Sequence, residues 1–369
     1  MTKYTFNSFW SPMTKQNNCF KYLQDIFDNN EYCENLYEAD IVIVNCFIHS
    51  YENFVFLNNT NKTLIGFISE PIEFWNNSGK YFYQLYLENK FTMVFGCINE
   101  DNLKNYYKYP LYLLYYDYRN DSIYENINNY VKTCNLEEKQ FCALMNTHDF
   151  GNTRTEMYNQ LSKISNIYCP SKLFNNCSNE ELNSIGSVEY IKKFKFHICS
   201  ESYLTNVGGY ITEKLLNCCL GGAIPVYCGS VDDIDSRIFN KNRIIFYNSN
   251  DSESTNNAFK LVENLMNNNE LLILFYKQDV FTSETYNTVI ELENKLKNGF
   301  SNYLYVKNNL ITEEEKEVIT EIEVEKEVIT EIPTEIPTEM EVDVEEEKET
   351  QVVVKDKVES NFDSESEKI

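Results

Sequence analysis

Histidine is scarce: only His49, His148 and His197 occur in 369 residues. That leaves little for a His-dependent nucleophile, which needs its base within hydrogen-bond reach. None of the 12 cysteines forms a CxxC pair, and several (Cys46, Cys142, Cys199, Cys228) sit inside apolar runs. They read as reduced, buried thiols. No GxGxxG follows an apolar run, which disfavours a dehydrogenase. No run of 18 or more apolar residues occurs, so no transmembrane helix is predicted. The opening stretch, MTKYTFNSFWSPMTKQNN, has no signal-peptide core. These absences predict a soluble, cytoplasmic protein. Basic residues are outnumbered too, with a formal net charge of −25, which argues against nonspecific nucleic-acid binding.

Core-forming residues are plentiful: 43% are hydrophobic and 15% aromatic, with 28 Tyr and 24 Phe. The acid is concentrated at the end. Residues 311–369 hold 22 acids and 6 bases, leaving 35 and 26 for the first 310. There Glu315-Lys-Glu-Val-Ile-Thr-Glu-Ile322 recurs as Glu325 to Ile332, followed by two Ile-Pro-Thr-Glu units. Such a segment cannot bury a core, and Pro333 and Pro337 forbid one long helix, so disorder is expected. The chain divides on this reading into 1–138, 139–300 and an acidic tail over 301–369.

In the first part, apolar runs at Tyr4–Trp10, Ala39–Phe47, Thr63–Ile68 and Phe91–Phe95 predict strands, and Asn18–Phe27 has helical spacing. Glu70 follows the third run at once, at the strand end where open α/β sheets place functional groups. Tyr106–Tyr118 is aromatic enough to line a sugar cleft or simply to pack a core. Asp121–Glu138 reads as a helical connector. The second part opens with a strand at Gln140–Met145, Asn146 and a polar loop. Thr153-Arg-Thr-Glu156 then reads as a capping box starting a helix, which puts Arg154 in its first turn.

The most informative stretch is FHICSESYLTNVGGYITEKLLNCCLGGAIPVYCG, from Phe196 to Gly229. Strand, Gly-Gly loop, helix and strand follow one another, the pattern of a βαβ unit. Lys214 falls in the first turn of the helix, where the dipole disfavours a cation unless an anion sits beside it. A phosphate would resolve that conflict, and Arg154 repeats the arrangement. Beyond lie Asp233-x-Asp235, a candidate Mn²⁺ pair or a plain helix start, then a strand at Arg243–Tyr247. Helices are predicted at Ala258–Met266 and Ser283–Leu296.

The segment from Lys193 to Ser230, with Tyr210-Ile-Thr-Glu-Lys214 and Ile224-Pro-Val226 through Gly229, resembles the donor-binding signature of the α1,3/4-fucosyltransferases, glycosyltransferase family 10. Asn146, Arg154, Tyr158 and Leu161 are similar to that family's Ser-Asn…Arg…Tyr…Leu segment, and Phe67-Ile-Ser-Glu70-Pro71 resembles its acidic acceptor segment. The resemblance implies an α/β GT-B-like fold: two Rossmann-like domains facing a cleft, the second holding GDP-fucose. It implies inverting transfer of L-fucose to a glycan acceptor, at O3 of a GlcNAc or glucose unit. Glu70 would be the general base and Glu201 would stand near the sugar. Asn146, Arg154, Ser202, Tyr210, Glu213 and Lys214 would bind the donor, with no metal ligands and no obligatory cofactor. A metal-dependent transferase using Asp233 and Asp235 with another sugar nucleotide, or an inactive glycan- or nucleotide-binding protein, is the alternative. The chain departs from the family at Ser200-Glu201-Ser202, where Phe-Glu-Asn is usual, and in a longer loop from Ser202 to Tyr210.

Overall fold

A computed structural model describes residues 2–9, 18–27, 30–71, 76–99, 105–149, 151–202, 204 and 208–303. Residues 304–369, with the acidic repeats, lie outside them, as does Trp10, and the first three residues assigned to the tail, 301–303, are helical. Two parallel sheets dominate one compact unit, residues 1–308. The first has six strands: β1 (Lys3–Asn7), β2 (Glu31–Tyr32), β3 (Ile41–Asn45), β4 (Thr63–Ile68), β5 (Phe91–Gly96) and β6 (Tyr106–Lys108). Their order is β2-β1-β3-β4-β5-β6. The second has β7 (Gln140–Ala143), β8 (Ile167–Tyr168), β9 (Phe194–Ile198), β10 (Ile224–Tyr227) and β11 (Ile245–Phe246), ordered β11-β10-β9-β7-β8.

Parallel strands covered on both faces must be apolar throughout. β3 and β4 are buried at every residue, which is why their unbroken apolar runs were readable as strands. Helices α1 (Asn18–Ile26), α2 (Tyr51–Asn59), α3 (Asn76–Leu87) and α4 (Ser122–Thr133) belong to the first half. Helices α5 (Thr155–Leu161), α6 (Glu180–Ile185), α7 (Ser187–Ile191), α8 (Glu213–Leu220), α9 (Ser252–Asn267) and α10 (Asn269–Tyr276) belong to the second.

A last helix over residues 285–303 does not close only the second half. Its Glu293 accepts hydrogen bonds from Tyr118 and Arg119, and Phe300 meets Phe27 edge-on. The aromatic stretch 106–118 turns out to be core. Tyr109, Tyr112 and Tyr118 are buried, and Leu111–Leu114 is a 3₁₀ turn rather than strand.

The direction of strand addition reverses between β7 and β9. The loops leaving their carboxyl ends therefore splay apart and open a crevice, the usual ligand position in such sheets.

Candidate functional site

Two loops border that crevice: Asn146–Asp149 after β7 and Cys199–Ser202 after β9. Arg154 ties them together. Its guanidinium donates to the carbonyls of His148 (2.8 Å) and Ser200 (2.9 Å) and lies 3.6 Å from Asp149. Its Nε–H is buried without a partner, a donor still open to an anion. The expected capping box is absent. Arg154 is the N-cap of α5, and Asp149 accepts from the backbone N–H groups of Arg154 and Thr155. Thr153 is drawn away to donate to the Glu201 carbonyl.

α8 begins where β9 returns. Thr212 is its N-cap, accepting from the Lys214 N–H. The Glu201 carboxylate, fully buried, accepts from the Thr212 N–H (2.9 Å), the Thr212 hydroxyl (2.7 Å) and the Tyr227 hydroxyl (3.2 Å). Lys214 Nζ lies 3.6 Å from Glu201 and from Glu213, and donates to Thr212 Oγ1. The misplaced cation thus has two carboxylates beside it in the free protein. Burial works against its charge, but Glu201 and Glu213 outweigh burial and hold Lys214 above its ordinary value. Glu201 is pushed up by burial, against the opposing pull of Lys214.

Upstream of α8 the chain crosses to the first sheet. Gly208 and Gly209 both take φ of +74°, and a Cβ on Gly209 would lie 2.4 Å from the Cys97 carbonyl. Only glycine fits such a contact. Asp233 locks this turn: it accepts from the Gly209 N–H (2.6 Å), the Ser230 hydroxyl and the Asn99 amide. The next residue, Tyr210, is buried and donates its phenol to Glu70, just past the end of β4. Burial raises the Glu70 carboxyl to about 7, although Tyr210 and Lys214 pull it down. A carboxylate titrating there is suited to general-base work near neutral pH.

Beside this cluster lies a cavity of about 400 Å³, lined by Asn146, Ser202, Glu213 and Lys214, with His197 and Cys199 also on its wall. Its polar groups converge from two strand ends and one helix start, an arrangement suited to a phosphorylated ligand.

Residues 134–295 match the family model described as glycosyltransferase family 10 (fucosyltransferase), C-terminal. This stretch, under half of the chain, is similar to the C-terminal part of that family. Among curated relatives, 4-galactosyl-N-acetylglucosaminide 3-alpha-L-fucosyltransferase 9 of Mus musculus and of Homo sapiens are each 28% identical over 152 residues. That stretch is 40% of this chain and 39% of the relative, so the chain matches about two fifths of their length. Solved structures of an alpha1,3-fucosyltransferase, alone and with GDP-fucose, superpose with TM-scores of 0.58 and 0.56 at 16% identity. They cover 80% of this chain and 90% of theirs. The GT-B-like α/β fold is therefore shared with this fucosyltransferase.

Of the residues that the family resemblance singled out, Asn146, Arg154, Ser202, Glu213 and Lys214 gather at one cavity. Glu70 and Tyr210 meet across the two sheets. Two of these residues have protein partners of their own. Glu201 is not open to a sugar: every carboxylate contact is spent on the start of α8 and on Tyr227. Tyr210 donates its phenol to Glu70. Of the Asp233-x-Asp235 pair, Asp233 accepts from the Gly209 N–H in the Gly-Gly turn and Asp235 pairs with Arg237 at 2.7 Å.

Thr212, Tyr227 and Asn99 were missed. Thr212 carries a readable signal, a cap residue ahead of Glu213. Tyr227 and Asn99 become partners only through the fold.

Replacing Asp233 by Ala should free the turn and lower kcat through Tyr210 and Glu70, with little change in GDP affinity. Asp235→Ala and added EDTA should each leave kcat near its starting value. Steady-state assays with GDP titration separate these outcomes, and activity restored by Mn²⁺ after EDTA would contradict them.

Proposed function

We propose that this protein transfers L-fucose from GDP-fucose, with inversion, to a hydroxyl of a glycan acceptor, at O3 of a GlcNAc or glucose unit. One observation carries the reading. A raised carboxylate, Glu70, stands at a strand end of the first sheet, and its partner Tyr210 lies four residues before Lys214 at the helix start facing the cavity. The diphosphate takes Lys214, the N-terminus of α8 and the open Nε–H of Arg154. Glu213 accepts from ribose hydroxyls, while Asn146 and Ser202 donate from the opposite wall.

The acceptor hydroxyl loses its proton to Glu70 as its oxygen attacks the anomeric carbon. The bond from that carbon to the phosphate oxygen breaks, and GDP leaves with the electron pair. A β-linked donor gives an α-linked product in one displacement. With a lysine and a helix start facing the leaving group, no divalent ion is obligatory for the transfer.

Incubation with GDP-fucose and a glycan array tests the reading. Fucosylated glycans with release of GDP are expected, and GDP binding without any turnover would overturn it. Lys214→Ala should weaken GDP binding by roughly ten- to hundredfold, the loss of one charge-assisted contact of ~1.5–3 kcal/mol. Calorimetric titration with GDP measures it, and unchanged affinity would remove Lys214 from the diphosphate.

A further inference from the structure

His197 lies near the end of β9 and Cys199 just past it, two residues on. Cys218 reaches the same place from the second turn of α8. The three side chains are buried, and their ligating atoms lie within 4.8 Å of one another. His197 is only 4% exposed, and the polar groups nearest its ring nitrogens are the thiols of Cys199 and Cys218. A buried imidazole is costly unless its nitrogens are answered. Cys218 donates weakly to the Ala223 carbonyl at 3.7 Å, and its sulfur also faces His197 and Cys199. His197 and Cys199 both line the cavity described above, which gives an ion a way in. Nothing in the proposed transfer uses these three groups.

We propose that His197, Cys199 and Cys218 form a binding site for a soft d¹⁰ metal ion of the Zn²⁺ class, on the cavity wall. Two thiolates and one imidazole make a three-donor set of the kind that leaves a fourth position open. With metal–sulfur bonds of about 2.3 Å and metal–nitrogen bonds of about 2.0 Å, donors in a tetrahedral site stand roughly 3.5–4 Å apart. The side chains therefore have to close by about 1.3 Å at most. Binding replaces two thiol protons, which pass to solvent, with two metal–sulfur bonds, and no oxidant or reductant is needed. The open fourth position faces the cavity. The ion joins β9 to α8 and sits beside the ligand space without entering the transfer step.

Cadmium serves as the probe, because a thiolate–cadmium bond absorbs in the ultraviolet. The background is full-length protein, kept reduced, in which the half-buried thiols Cys33, Cys134 and Cys177 are changed to Ser. One Cd²⁺ per chain should bind with a charge-transfer band, and Zn²⁺ should displace it and raise the melting temperature. Cys199→Ser and Cys218→Ser should each lose the band. His197→Gln keeps both thiols and serves if the cysteine variants fold poorly; it should weaken Cd²⁺ binding at least tenfold and abolish the Zn²⁺ stabilisation. A band that survives in either cysteine variant, no stabilisation by Zn²⁺, or unchanged affinity in His197→Gln would overturn the proposal. These readouts need no donor or acceptor, so they stand apart from any failure of the proposed transfer.

Discussion

Glu70→Gln is expected to lower kcat by at least ~10²-fold, the lower range for loss of a general base, while GDP binds with near wild-type affinity. The substitution keeps the shape at the end of β4 and an acceptor for the Tyr210 phenol, but it cannot take a proton. Burial holds the Glu70 carboxyl at about 7. Below that pH the folded protein keeps the proton and the base is blocked, so kcat/KM should rise with pH through about 7. The glutamine variant should lack that limb. Tyr210→Phe removes a hydrogen bond that lowers the Glu70 value, so its limb should move to higher pH. A Glu70→Gln protein with normal turnover would place the base elsewhere, with Glu213, on the cavity wall, the next carboxylate to examine.

The second large effect is expected on stability. Glu201→Ala removes a carboxylate that answers three donors in a fully buried place, two of them on the N-cap of α8. It also strips Lys214 of one of its two carboxylate neighbours. Breaking a buried charged pair costs about 3–5 kcal/mol, whereas an exposed pair such as Lys295–Glu291 is screened by solvent and contributes little. Urea unfolding of Glu201→Ala should show a loss in the larger range. Hydrogen exchange should quicken in the first turn of α8. Glu201→Gln, which keeps the volume, should fall between. A variant that lost turnover at unchanged stability would instead put Glu201 against the sugar.

The apolar runs of β3, β4 and β10 were enough to declare a parallel α/β protein, because strands covered on both faces have no polar side to show. The order of Tyr210, Thr212, Glu213 and Lys214 was likewise written in the chain, since an N-cap and a first turn are local matters of three or four residues. Glu70 was legible as a strand-end acid, but nothing local says that Tyr210 would hold it across 140 positions. That pairing exists because a Gly-Gly turn packs against Cys97 and Asp233 locks it there. The partners of Glu201 and Arg154 were set the same way. A carboxylate and a guanidinium look alike in sequence whether they face a ligand or answer the backbone. Only the reversal of strand order between β7 and β9 brought their loops together, and only burial determined which groups they must satisfy.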